Sequence, residues 1–113
     1  MNSQQLSSQS QDLQARAASD RREAERFALN AETYRKNGDE TRAKVDEDRA
    51  RRLVTEAEGY ESEADQLAQA SLAQDARARQ LESEKQQVKS EYESKIAEIE
   101  KEQQKLTGGT GLF

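Results

Sequence analysis

Tyr34-Arg35-Lys36-Asn37-Gly38-Asp39-Glu40 is the stretch on which the fold turns, because signals for ending one helix and starting another coincide there. Asn37 and Gly38 both tolerate the left-handed backbone conformation that closes helices. Asp39 can then cap the following helix with its carboxylate. Arg35 and Lys36 place positive charge in a last helical turn, and Asp39 and Glu40 place negative charge at a first one, each complementing the helix dipole. The stretch predicts a tight turn at 37–39 between two helices, one over about 11–36 and one over about 40–106.

Outward from the turn, apolar and small residues recur at alternating spacings of 4 and 3. On the N-terminal side the series is Leu6, Ser10, Leu13, Ala17, Asp20, Ala24, Phe27, Ala31 and Tyr34. On the C-terminal side it is Ala43, Asp46, Ala50, Leu53, Ala57, Tyr60, Ala64, Leu67 and Ser71. These are heptad seams in which small side chains alternate with large ones. Folding the chain at the turn makes antiparallel partners sum to about 77, the constant implied by a fold near residue 38. Seven of the nine layers then set a large side chain against Ala or Ser, which lets helices approach without voids. Leu13, Ala17, Ala24, Phe27, Tyr34, Ala43, Ala50, Leu53, Tyr60, Ala64 and Leu67 are the expected packing residues. Ala31–Asp46, where Val45 could turn inward instead, and Asp20–Ala57 are the two exceptions.

The same heptad frame continues past the reach of the first helix. Leu81, Val88, Tyr92, Ile99 and Leu106 extend the stripe, with Ile96 beside it and Lys85, Lys95 and Glu102 interrupting it. Residues 72–106 would form an overhang about 50 Å long at 1.5 Å per residue. A lone helix of this kind is marginal in water, so the overhang calls for a partner, either another copy or a different protein. Residues 1–10 are polar and read as a frayed start; residues 107–113 read as a flexible glycine-rich tail. Leu112 and Phe113 on that tail could plug a pocket on a neighbour. The expected fold class is all-α: an antiparallel coiled-coil hairpin with a long C-terminal helical extension.

Composition agrees with thin seams and excludes a large globular core. Hydrophobic residues make up 32% of the 113, and 16 of them are Ala, leaving few side chains that fill space. Pro is absent, so no helix interior is forced to break. Disorder is the rival reading of such a polar chain. The net charge of −5 is modest, however, and acids precede bases at i,i+4 in Asp48–Arg52, Asp75–Arg79 and Glu91–Lys95. No apolar run approaches the ~20 residues of a membrane span, and the polar N-terminus does not read as a signal peptide. A soluble protein, intracellular or inside a virus particle, is the expectation.

Catalytic chemistry finds little material. His, Cys and Trp are all absent, which removes most general bases, nucleophiles and metal ligands. Residues 39–71 hold ten acidic against five basic side chains, but they follow neither a di-metal helix pattern nor a calcium loop. Gly108-Gly109-Thr110-Gly111 lacks the Lys-Ser/Thr of a phosphate loop. Neither an enzyme nor a cofactor is expected. Arg16, Arg21, Arg22 and Arg26, facing Arg49, Arg51 and Arg52 in the hairpin, suggest weak electrostatic nucleic-acid binding. Interspersed acids and a net negative chain oppose it.

Tyr34, Gly38, Asp39, Ala43 and Ala50 resemble the turn of a tetratricopeptide repeat, although no 34-residue repetition follows. As a whole, a small Ala-, Gln- and Glu-rich helical chain without His or Cys resembles the scaffolding, adaptor and internal core proteins of tailed phages. That resemblance is compositional and implies a structural, assembly-related role in a virus particle. A monomeric adaptor docking on one folded partner is the alternative.

Overall fold

The computed structural model describes residues 1–107 and consists of two α-helices, α1 (Ser3–Lys36) and α2 (Glu40–Leu106), with no strand among the described residues. The chain divides into two units, Met1–Gln74 and Asp75–Phe113.

The turn follows its local chemistry. Gly38 takes φ +81°, the left-handed value that an L side chain resists. Asn37 does not: its φ is −90°, and its N–H bonds back to the Thr33 and Tyr34 carbonyls. Asp39 N–H returns to the Tyr34 carbonyl at 2.8 Å, and Asp39 Oδ1 accepts from Arg42 N–H at 3.1 Å. A single left-handed glycine and one capping carboxylate therefore suffice.

α1 begins at Ser3, eight residues before the start at about 11 that the polar N-terminal composition suggests. Asn2 is an N-cap: its Oδ1 accepts from Gln5 N–H at 2.8 Å, and Gln5 Oε1 accepts from Asn2 N–H at 2.9 Å. This reciprocal capping box satisfies two otherwise orphaned donors. Tertiary contacts hold the rest of the first turn. Ser3 Oγ lies 3.0 Å from Ser71 Oγ, and Gln74 Nε2 donates to the Met1 carbonyl at 2.9 Å. The polar Ser/Gln composition read as fraying is a polar seam bonded across to α2.

Within Met1–Gln74 the helices meet along their small residues. Ser10, Ala17, Ala24 and Ala31 on α1 are buried, as are Ala43, Ala57, Ala64 and Ser71 on α2. Ser10 Oγ donates to the Ala64 carbonyl at 2.7 Å, and Ser71 Oγ to the Ser3 carbonyl at 2.9 Å. A hydroxyl on a one-carbon side chain can reach the opposing backbone only if the two backbones lie close together. The bonded pairs 3–71 and 10–64 sum to 74, three short of 77. Continued along the helices, that register sets Ala17 towards Ala57, Ala24 towards Ala50 and Ala31 towards Ala43.

The large side chains close over the flanks of this ridge. Leu13, Phe27, Tyr34, Leu53, Tyr60 and Leu67 are half-buried, as is Ala50. The physical reason is geometric. With a single neighbour, a helix can fully cover an Ala at the contact line, whereas most larger side chains extend past the partner's edge; Leu6, near the start of α1, is the large seam residue that is buried. Arg26 and Arg49 sit over the Phe27 ring at 5.2 and 5.6 Å from its centroid, and Arg42 covers Tyr34 at 5.9 Å. Guanidinium planes thus complete the covering that aliphatic neighbours would supply in a larger core.

Both aspartates of the expected seam stay on it. Asp46 is buried with its carboxylate 3.5 Å from Arg49, and Val45 stays exposed, so the exchange considered for that layer does not occur. Asp20 is half-buried, and its Oδ2 is buried without a hydrogen-bond partner. Burial, then the charges of Glu56 and Glu23, push its carboxyl above the ordinary value of 3.8.

Candidate functional interface

Residues 75–106 of α2 are exposed over almost their whole length. Leu81, Val88, Tyr92, Ile99 and Leu106 are all exposed, from 47% for Leu81 to 81% for Leu106, and Ile96 is half-buried. Scattered surface hydrophobes are ordinary. Here, however, Leu81, Val88, Tyr92, Ile99 and Leu106 occupy the two inward-facing positions of one heptad frame, which gathers them on one stripe of the helix. Between them the same frame carries Lys85, Lys95 and Glu102. Leu112 and Phe113 lie outside the described residues.

Local chemistry keeps this stretch helical without adding tertiary contacts. Lys85 approaches Glu82 at 4.0 Å, Gln86 donates to Glu82 at 3.0 Å, and Gln87 donates to Glu91 at 3.4 Å. At the end, the Thr107 N–H and hydroxyl both bond to the Gln103 carbonyl, at 2.9 and 2.8 Å. Each such contact on an exposed helix stabilises by only about 0.2–0.5 kcal/mol. Exposed leucine, valine and isoleucine on a marginal helix are what a docking partner would cover.

Charged groups in Met1–Gln74 act as clasps on the hairpin. Arg35 at the end of α1 donates to Glu40 at 3.0 Å and also to Glu47, bridging the turn. Glu40 and Glu47 are held below the ordinary carboxylate value of 4.5, first by their hydrogen bonds from Arg35. Arg21 makes a bidentate pair with Glu61 across the helices at 3.0 and 2.6 Å, and Glu61 is lowered in the same way. The Arg21–Glu61 pair is not legible in the sequence, because the two residues have no local relationship until the register is known.

The arginine clusters are largely engaged within the chain. Besides Arg21, Arg26 pairs with Glu23, Arg49 with Asp46, and Arg51 with both Glu47 and Asp48. Asp48 thus takes Arg51, one turn position nearer than the Arg52 suggested by i,i+4 spacing. Interleaved pairing of this kind leaves little accumulated positive potential for a phosphate backbone.

Acidic side chains meet near the middle of the hairpin. Tyr60 hydroxyl donates to Glu56 Oε1 at 2.9 Å, and that hydrogen bond is the main influence raising the phenol's pKa. Among the described residues, no group of three or more carboxylates could hold a metal ion. No helix among them is long and apolar enough to cross a membrane. No protein-family model, curated protein or solved structure matches the chain.

Proposed function

We propose that this chain is a non-catalytic structural or assembly component, which works as an oligomer or inside a larger complex through the apolar stripe of residues 75–106. The supporting observation is the contrast between the two stretches of one helix. Up to Ser71 the heptad positions of α2 are buried or half-buried against α1, whereas Leu81, Val88, Tyr92, Ile99 and Leu106 in the same frame are exposed. Covering such side chains contributes about 1.5–3 kcal/mol each when burial is complete. The absence of His and Cys from the sequence supports a role in binding rather than in chemistry. Within this class, a component of a virus particle is the setting that the composition resembles.

Light scattering across a concentration series tests the reading, with Ile99→Asp as the comparison. The wild-type chain forms a defined oligomer, and Ile99→Asp shifts it towards monomer while the hairpin keeps its melting transition. A wild-type chain that stays monomeric throughout would overturn the oligomer reading in favour of the monomeric adaptor. An oligomer that Ile99→Asp leaves intact would place the interface outside the stripe.

A further inference from the structure

The charged residues that interrupt the stripe specify its occupant. Resting on the function proposed above, we infer that residues 81–106 pair with the same segment of a second copy, antiparallel, in a register where facing positions sum to 187. Three observations carry this. The segment 75–106 is nearly neutral, with eight acidic and seven basic side chains, so two copies do not repel as bodies. The exposed stripe in each copy offers the apolar half of an interface. The third observation is the order of charges along the heptad frame.

A parallel pairing stacks every seam residue on its own copy. Lys85 then faces Lys85, Lys95 faces Lys95 and Glu102 faces Glu102, giving three like-charge layers in a desolvated seam. Antiparallel pairing at 187 removes all three conflicts. Leu81 faces Leu106 of the second copy, and Val88 faces Ile99. Lys85 meets Glu102 as an opposite-charge layer, and Lys95 meets the face of Tyr92. Twofold symmetry repeats each of these four layers.

The flanks are mixed but lean the same way. Glu84 comes beside Lys105 of the second copy, and Ile96 beside the aliphatic stem of Lys89. Glu91 approaches Glu98, a like-charge contact, with Lys95 one turn from each glutamate on its own helix. Sliding by one heptad is worse in either direction. A sum of 180 sets Lys85 against Lys95, and a sum of 194 sets Lys95 against Ile99 and Glu102 against Tyr92. Of these three antiparallel registers, 187 is the one that gives every seam residue a compatible partner.

The test uses the whole 113-residue chain, which contains no cysteine. Nitroxide labels are placed in separate proteins at Ser83→Cys and Ser94→Cys, both off the seam, and intermolecular distances are measured by pulsed electron resonance. At 1.5 Å per residue, label 94 lies about 2 Å along the axis from its mate, and label 83 about 32 Å from its mate. A parallel pair gives the same short separation at both positions and would overturn the register, while leaving assembly through the stripe intact. A chain that remains monomeric overturns self-pairing together with the oligomer reading.

Charge exchange supplies an independent readout in sedimentation equilibrium. Lys85→Glu alone and Glu102→Lys alone each weaken the dimer roughly tenfold or more, because each creates two like-charge layers. The double variant restores it to within about threefold. Single variants that dimerise as well as the wild type would contradict the assignment, since a parallel pair exchanges one like-charge layer for another.

Discussion

Ala57→Leu is the sharpest probe of the hairpin. Ala57 has no exposed surface, and continuing the observed register places it against Ala17, itself 1% exposed. Three added carbons have no space between two backbones this close, so the helices must move apart. Overpacking of this kind costs about 1–3 kcal/mol. Separation also pulls Ser10 Oγ from the Ala64 carbonyl two turns away, adding roughly 1 kcal/mol. The sum, about 2–4 kcal/mol, corresponds to a fall in melting temperature on the order of 10–25 °C for a unit of this size. Thermal melting of the full chain, followed by far-ultraviolet circular dichroism, measures it. Ala50→Leu is the internal comparison. Ala50 is only half-buried, so its leucine can lean outward over the flank beside Phe27, and the loss is smaller. If Ala57→Leu melts at the wild-type temperature, or if Ala50→Leu is the more damaging, the small-on-small seam is wrong.

Other positions give effects of either sign. Asp20→Asn stabilises at neutral pH, because the native state raises the pKa of Asp20 and so penalises its charged form. The gain shrinks as pH falls towards the ordinary value of 3.8, where Asp20 takes up its own proton; equal gains at pH values above and below that range would refute the cause. Glu40, Glu47 and Glu61 have the opposite sign: their ion pairs contribute above 4.5, the ordinary value, and are lost as pH falls through their lowered pKa values. Arg35→Gln therefore flattens the acid limb of the stability–pH curve, and an unchanged limb would count against the turn clasp. Gly59→Ala raises stability by about 1 kcal/mol, since a Cβ there meets nothing within 4 Å. Gly38→Ala lowers it by about 1–2 kcal/mol through the left-handed backbone, although it too has open space. Chemical denaturation of the two variants checks that contrast.

Much of this fold is legible in the sequence because its determinants are local. Gly38 and Asp39 announce the turn, and the heptad spacing from Leu6 to Tyr34 and from Ala43 to Ser71 announces two facing helices. The start of α1 was less legible. Ser3 and Gln5 are polar, and their helical state depends on Asn2 capping and on Ser71 and Gln74, some seventy residues away in the chain. The seam's register illustrates the same difficulty. Volume complementarity favours large against small at 77, but it assumes that a large side chain can be enclosed. In this two-helix unit only Leu6 among the large seam residues is buried, and along the rest of the seam backbone proximity selects small against small. At Gly59 the sequence leaves two readings open, because a surface glycine and a site of close approach look alike until the space around it is known. The apolar stripe is legible without a structure; the exposure of its side chains is not.

Hydrogen exchange of the backbone amides, at low and high protein concentration, tests the central claim most directly. On the function proposed above, the hairpin is held by contacts within one chain, and residues 75–106 would be held by contacts between chains. Protection over residues 3–71 should be the same at both concentrations, while protection over 75–106 should rise with concentration. Equal protection of 75–106 at every concentration would contradict the account, because the stripe would then need no partner to remain helical.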